Sequence, residues 1–106
     1  MGDYSRHALC VCRDGFSMSV QAHDGAYCEP RGVDNAQRYT SVEIGFPNDV
    51  EPFLLEYAED RDNPTNTVYA YVPSDVVRHV IDKHGGMIAG SVPRGVPVWG
   101  ALFPKT

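Results

Sequence analysis

Two stretches of the chain alternate apolar and polar side chains with the period of a β-strand. The inward positions of residues 16–22 are Phe16, Met18, Val20 and Ala22. The inward positions of residues 39–46 are Thr40, Val42, Ile44 and Phe46. Because successive side chains of a strand point to opposite faces, each stretch predicts a half-buried strand.

Three further stretches are predicted to belong to the same sheet. Residues 5–12 precede an Arg-Asp-Gly turn, which predicts a hairpin with residues 16–22. Residues 68–72 are β-branched or aromatic apart from one alanine, as is typical of strands. Residues 51–58 fit a strand or a short helix. The proline near their start and the polar loop 59–66 favour a strand that forms a hairpin with residues 68–72.

The segment after residues 68–72 has the spacing of a helix. Its apolar stripe occupies positions i, i+1, i+4 and i+5, namely Val76, Val77, Val80 and Ile81. Pro73 ends the strand because it has no N–H to donate. The hydroxyl of Ser74 is predicted to cap the helix, and Gly85 to adopt the left-handed conformation that ends it. His84, in the last turn, is predicted to pack partly buried and to contact the last carbonyls.

Together these elements predict a single α+β domain over residues 1–106. Its core is a mainly antiparallel sheet of about five strands with one helix packed on one face. Residues 87–106 contain three prolines and three glycines, too many for a long regular element, among apolar side chains. This segment is predicted to be an extended arm that lies on the domain or on a partner.

Composition and charge narrow the function classes. The chain has 106 residues and a net charge of −5, which disfavours direct nucleic-acid binding because such domains carry a basic patch. No apolar run approaches the roughly 20 residues of a membrane helix, so no membrane partner is expected. An odd number of cysteines and the absence of a hydrophobic leader at the start favour the cytoplasm.

The cysteines are the candidates for metal or thiol chemistry. Cys10 and Cys12 share one face of a strand, with His23 and Cys28 further along the chain. These thiols fit small buried side chains, a zinc site, or a disulfide from Cys28 to one of the pair, and the spacing favours the first. No local pattern joins any of the four histidines to a cysteine nucleophile. No catalytic residue, metal ligand or cofactor is therefore predicted.

Tyrosines and acidic residues form the predicted partner-binding surface. Tyr69 and Tyr71 alternate onto one face of their strand, opposite the valine and alanine face that is expected to carry the helix, and Tyr39 is expected to join them. Tyrosine suits protein interfaces because it offers a large apolar area with a polar tip. The acidic residues predicted to surround these anchors are Glu43, Glu56, Glu59 and Asp60.

A different binding site follows if the C-terminal arm covers the tyrosines. The candidates are then the loop 26–38 and the helix face around Arg78, His79 and Asp82. Alternatively, the acidic residues Glu56, Glu59, Asp60 and Asp62 belong to a solvated loop or bind a divalent ion weakly. These alternatives stay open at the level of sequence.

Several segments resemble a family of small bacteriophage and prophage proteins: DGFSMSVQA, YCEPR, YTSVEIGFP, EYAED and VYAYVPSDVVRHVIDKHGG. The resemblance covers about residues 10–86 and carries no residue roles. Small acidic phage proteins of this size include anti-CRISPR proteins and other inhibitors of host defence. The resemblance therefore implies a non-enzymatic protein, monomeric or homodimeric, that occludes a host protein or nucleoprotein defence complex. The alternatives are an oligomeric phage accessory or assembly protein and a small metal- or thiol-dependent enzyme.

Overall fold

The computed structural model describes residues 7–34 and 36–97. Its elements are β1 (Cys10–Cys12), β2 (Ser17–Gln21), β3 (Ser41–Gly45), a 3-10 helix (Pro52–Tyr57), β4 (Val68–Pro73), α1 (Ser74–Lys83) and β5 (Met87–Ala89). The strands form one antiparallel sheet in the order β4-β3-β2-β1-β5. This sheet, with α1 following β4, confirms the predicted α+β class. No helix in the described part of the chain is long and apolar enough to cross a bilayer.

The alternating stretches form the centre of the sheet. All four inward positions predicted for residues 16–22 are buried, so that pattern is confirmed. In β3, Val42 and Ile44 are buried as predicted, but Thr40 and Phe46 are exposed and their predicted inward position is wrong. Phe46 has a φ of +48°, in the left-handed region, where the extended path of β3 stops and alternation no longer applies.

The stretch 51–58 is a 3-10 helix, so the strand predicted there is wrong. Glu51 caps this helix because its Oε2 accepts the N–H of Phe53 at 2.8 Å, and a proline occupies the first helical position. The fifth strand is β5, which pairs with β1 and starts the segment that was predicted to be an extended arm. The rest of that arm from residue 98 onward, with Trp99 and Phe103, lies outside the described residues, as do residues 5 and 6 of the first predicted strand.

The helix packs through its predicted stripe. Val77, Val80 and Ile81 are buried, and Gly85 has the expected positive φ of +92°. The predicted cap is wrong. Pro73 holds the N-cap position, and the Ser74 hydroxyl donates to the carbonyl of Tyr39 at 2.8 Å. The hydroxyl therefore ties the start of α1 to the chain before β3 and leaves the free N–H groups of the helix uncapped by a side chain.

Candidate functional site

The structure separates the three predicted tyrosine anchors. Tyr39 and Tyr69 are 2% and 0% exposed, so their predicted outward position is wrong. Both phenols donate to backbone carbonyls within the domain, Tyr39 to Val33 and Tyr69 to Pro64. Tyr71 is 39% exposed. Of the three, Tyr71 is the residue that a partner can reach.

A β-bulge explains why Tyr69 and Tyr71 do not share a face. The β3–β4 ladder pairs Ile44 with Tyr69. It next pairs Val42 with Val72, which leaves two residues of β4 opposite one residue of β3. The extra residue breaks the alternation of side chains, and Tyr71 adopts a φ of +52°. This conformation costs a non-glycine residue about 1–2 kcal/mol, so the rest of the fold must stabilise it.

Tyr71 belongs to a surface group with Tyr27 and Arg31, which we call the Tyr–Arg cluster. The two tyrosine ring centroids lie 6.0 Å apart, and the Tyr71 N–H donates to the Tyr27 carbonyl at 3.1 Å. Arg31 Nη1 donates to the Tyr71 hydroxyl at 2.9 Å. The guanidinium carbon of Arg31 lies 5.0 Å from the centroid of the Tyr27 ring. Each member of the cluster therefore contacts both others.

The loop that carries Tyr27 and Arg31 is fixed to the sheet by its neighbours. Cys28, between them, is fully buried. Glu29 forms an isolated bridge with Ser41 at the start of β3, with its N–H donating to the Ser41 carbonyl at 3.1 Å. These contacts hold the exposed members of the cluster on an ordered backbone, a common arrangement for binding residues on loops.

One of the predicted acidic residues contacts the Tyr–Arg cluster. Oε1 of Glu43 accepts the N–H of Tyr27 at 2.9 Å. The other three, Glu56, Glu59 and Asp60, are exposed. They contact the 3-10 helix, the loop after it and the start of β4. For example, the Asn63 side chain donates to the Asp60 carboxylate at 2.9 Å. The structure therefore brings Tyr71 and Glu43 together through Tyr27 and does not join the other acids to them.

Sequence reasoning missed Tyr27 and Arg31 as individual residues. They lie in the loop 26–38, which was predicted only as an alternative binding region because it lacks periodicity. The local signal was an aromatic residue and an arginine flanking a cysteine in YCEPR. A buried cysteine between two exposed side chains marks a loop that is packed against the domain, which is the condition for an ordered binding site.

The three cysteines are free and fully buried, which confirms their interpretation as small core side chains. Burial raises the pKa of the Cys28 thiol, and the hydrogen bond shared with Cys12, together with burial, raises that of Cys10. Within residues 7–34 and 36–97, one group of three potential metal ligands has its ligand atoms all within 4.8 Å of one another, namely His23, Asp24 and Asp34. The zinc set of three cysteines and His23 is not assembled among those residues.

A second polar group lies at the C-terminal end of α1, where His84 contacts two carboxylates. The Nδ1 atom is 2.6 Å from Asp14 Oδ2, and Nε2 is 2.7 Å from Oε1 of the buried Glu51. Lys83 Nζ lies 3.0 Å from the same Glu51 carboxylate, and the Phe16 ring stacks on the imidazole at 4.1 Å. His84 is partly buried as predicted, and its backbone N–H contacts the last helical carbonyls, those of Val80 and Ile81, while its ring contacts the two carboxylates.

We call His84, Asp14, Glu51 and Lys83 the His84 group, and its contacts are those of a structural ion-pair network. Burial alone would lower the pKa of His84, but the hydrogen bonds to Glu51 and Asp14 outweigh it and raise that pKa. With a carboxylate at each ring nitrogen, the imidazolium has no free position for proton transfer with a substrate. The adjoining cleft has a volume of about 250 Å³ and is lined by Asp14, Gly15, Phe16, Asn48, Asp49 and His84.

Comparison with known proteins adds no assignment to either group. No protein-family model matches the chain, and no curated protein and no solved structure matches it. The resemblance to phage accessory proteins therefore stays a hypothesis carried by its sequence segments. Of the two polar groups, the Tyr–Arg cluster is the one in which every side chain is exposed, whereas Glu51 in the His84 group is buried.

The strain at Tyr71 can be measured directly. We expect Tyr71→Gly to be more stable than Tyr71→Ala by about 1 kcal/mol in urea denaturation, because glycine adopts a positive φ without steric cost. The matched control is Ala70→Gly, next to it in β4. That change should lower stability by about 0.5–1 kcal/mol because glycine weakens an ordinary strand position. Equal stabilities of Tyr71→Gly and Tyr71→Ala would contradict the strained conformation.

Proposed function

We propose that the protein is a non-enzymatic binding protein that covers a surface of a host protein with its Tyr–Arg cluster. The observation that carries this proposal is Tyr71. It is exposed, it occupies a strained backbone conformation, and its ring and hydroxyl are held by Tyr27 and Arg31. Strain of this kind is stored at ligand-binding and other functional positions more often than elsewhere.

The composition of the cluster supports a role in binding. Tyrosine and arginine are enriched among the few interface residues that supply most of the affinity. Their mutual contacts already restrict the side-chain rotamers in the free protein, so less conformational entropy is lost when a partner binds. The backbone hydrogen bonds between β3 and β4 hold Tyr71 in place when the protein folds. Binding a partner therefore requires no further ordering of this residue.

The surrounding charge indicates the kind of partner surface. The chain carries a net charge of −5, and the cluster is bordered by Glu29 and Glu43. Acidic residues at the border of an interface speed association with a basic surface. The resemblance to phage proteins implies that this surface belongs to a bacterial defence complex, in the manner of an anti-CRISPR protein.

The test is capture by wild-type protein and by single alanine variants of Tyr27, Arg31 and Tyr71. The probes are purified effector complexes of bacterial CRISPR systems and lysates of bacteria that contain them. A complex bound by wild-type protein should lose about 30-fold in affinity with each cluster variant, equivalent to about 2 kcal/mol. The matched control is Phe53→Ala, which removes an aromatic side chain of similar exposure from the 3-10 helix.

Two outcomes would contradict the proposal. One is a captured complex whose affinity falls as much with Phe53→Ala as with the cluster variants. The other is that no tested complex binds wild-type protein more tightly than the cluster variants. Light scattering of the free protein runs beside these measurements, because a dimer that is lost in the cluster variants would favour the oligomeric accessory protein.

A further inference from the structure

Arg31 differs from the basic side chains of α1. Arg78 pairs with Asp82 at 3.2 Å, and Lys83 pairs with Glu51 at 3.0 Å. Arg31 contacts a phenol and an aromatic face, and no described carboxylate pairs with it. Its charge is therefore positioned on the surface without a direct ion pair to a described carboxylate.

The geometry leaves most of the guanidinium free to bind. A guanidinium has five N–H donors in one plane, and a single one is used by the Tyr71 hydroxyl. The guanidinium carbon lies 5.0 Å from the centroid of the Tyr27 ring, and Arg31 is exposed, so N–H groups that do not face the ring or the Tyr71 hydroxyl are open to solvent. Two parallel N–H groups at the edge of the guanidinium match the two oxygens of a carboxylate.

The Tyr71 hydroxyl adds one more donor. It acts as the acceptor in its bond with Arg31, so its own proton is free to donate. A carboxylate at the edge of Arg31 would then meet donors from both side chains. Because both are already held in position, binding does not require them to reorganise.

We propose that Arg31 and Tyr71 form a receptor for one carboxylate group of the partner, supplied by an acidic side chain or by a chain terminus. This inference rests on the proposed function, since it names the chemistry that the Tyr–Arg cluster recognises. It is tested on the free protein, so that its failure and the failure of partner binding are distinguishable.

Nearby charges favour a monoanionic carboxylate over a phosphate. Glu43 accepts the N–H of Tyr27 at 2.9 Å, and Glu29, two residues before Arg31, accepts the Ser41 hydroxyl at 3.1 Å, so both acids lie beside the cluster. A dianion at Arg31 would be repelled by both acids, and repeated phosphates would be repelled by the whole chain. The complementary partner surface therefore presents a single carboxylate among basic residues.

The experiment is a titration of ¹⁵N-labelled full-length protein followed through the side-chain Nε–H signals of its arginines and the backbone amides of Tyr27 and Tyr71. Four probes are used at constant ionic strength. N-acetyl-glutamate amide offers a side-chain carboxylate, N-acetyl-glutamine a terminal carboxylate, N-acetyl-glutamine amide no charge, and inorganic phosphate a dianion.

We expect saturable shifts at Arg31 with at least one carboxylate probe. The expected dissociation constant is about 10–100 mM, the range that a single charge-assisted pair supplies. The neutral probe should give no saturation, and phosphate should bind at least threefold more weakly than the better carboxylate. The two carboxylate probes then distinguish a side chain from a terminus as the source. Arg78, which already pairs with Asp82, provides the internal control.

Two variants separate the receptor from general charge. Arg31→Lys keeps the charge but loses the planar pair of donors, so the affinity should fall at least fivefold. Tyr71→Phe removes the hydroxyl and should weaken binding two- to fivefold, while the backbone spectrum shows that the fold is kept. Shifts that fail to saturate, that are equal at Arg31 and Arg78, or that survive Arg31→Lys unchanged would overturn the inference. Tighter binding of phosphate than of either carboxylate would overturn it as well.

Discussion

Glu51→Gln should lower the free energy of unfolding by about 2–4 kcal/mol near pH 6, measured by urea denaturation. Glu51 has no exposed surface, and its carboxylate contacts His84, Lys83 and the N–H of Phe53. Removing one partner of a buried ion pair costs about 3–5 kcal/mol because the other charges are left without compensation. The expected loss is smaller here, since the Lys83 side chain is 39% exposed and is screened by water.

The stability lost in Glu51→Gln should depend on pH, because both Glu51 and His84 titrate. Burial alone would raise the pKa of Glu51, but hydrogen bonds from Phe53, His84 and Lys83 outweigh it and lower that pKa. The contribution of Glu51 is therefore present above its ordinary value of 4.5 and lost as the pH falls through the lower folded value. The contribution of His84, whose pKa is raised, is present below 6.5 and lost as the pH rises. The difference between wild type and Glu51→Gln should be largest at about pH 5–6.

The matched control is Asp82→Asn, the same chemical change at an exposed ion pair of α1. The Asp82 pair with Arg78 is an (i, i+4) contact, worth about 0.3–0.5 kcal/mol. A Glu51→Gln variant as stable as Asp82→Asn would show that the His84 group does not tie α1 to the 3-10 helix. A difference that does not change between pH 5 and pH 9 would show that His84 is not charged in the folded protein.

The strands and the helix were predictable wherever one period governs a whole segment. Apolar and polar side chains alternate from Ser17 to Gln21 in β2, and the stripe of α1 keeps its spacing from Val77 to Ile81. A strand was favoured over the short helix at residues 52–57 because the stability of that helix comes from Glu51, which caps it through a side chain that must first be buried. β5 was missed because three residues are too few to show a period, and its strand character comes from pairing with β1.

Only part of the proposed binding surface was predictable, because its residues come together through contacts between distant segments. Alternation assigned Tyr69 and Tyr71 to one face, and the single inserted residue of the β-bulge separated them. Nothing local in the sequence of β4 marks that insertion, because the mismatch is a relation between two strands. Tyr27 and Arg31 approach Tyr71 only after Cys28 and Glu29 have bound their loop to the sheet. Such a cluster is a product of tertiary structure and has no fixed spacing along the chain.

Gly95→Ala should destabilise the protein by about 2–5 kcal/mol, through a close approach of two backbone segments. A Cβ atom at Gly95 would lie 2.3 Å from the carbonyl oxygen of Tyr39 and 2.7 Å from its nitrogen. Tyr39 cannot move away, because its N–H donates to the Arg94 carbonyl at 2.8 Å and its own carbonyl accepts the Ser74 hydroxyl. Steric overlap of this kind costs about 1–3 kcal/mol or more, beyond the 1–2 kcal/mol of a positive φ.

Gly32→Ala isolates the overlap from the conformational strain. Gly32 and Gly95 have φ values of +75° and +106°, but a Cβ at Gly32 would meet no atom within 4 Å. Gly32→Ala should therefore cost only the strain, about 1–2 kcal/mol, in the same urea denaturation. Hydrogen exchange of the Tyr39 amide reports the bond to Arg94. After correction for the change in global stability, this exchange should be faster than wild type in Gly95→Ala and equal to wild type in Gly32→Ala. Equal losses in the two variants, with Tyr39 protected in both, would show that residues 94–96 do not pack on Tyr39 in solution. Tyr39 bonds to Val33 in the loop that carries Arg31. Without the packing of residues 94–96 on Tyr39, that loop would have to be held by Cys28 and Glu29.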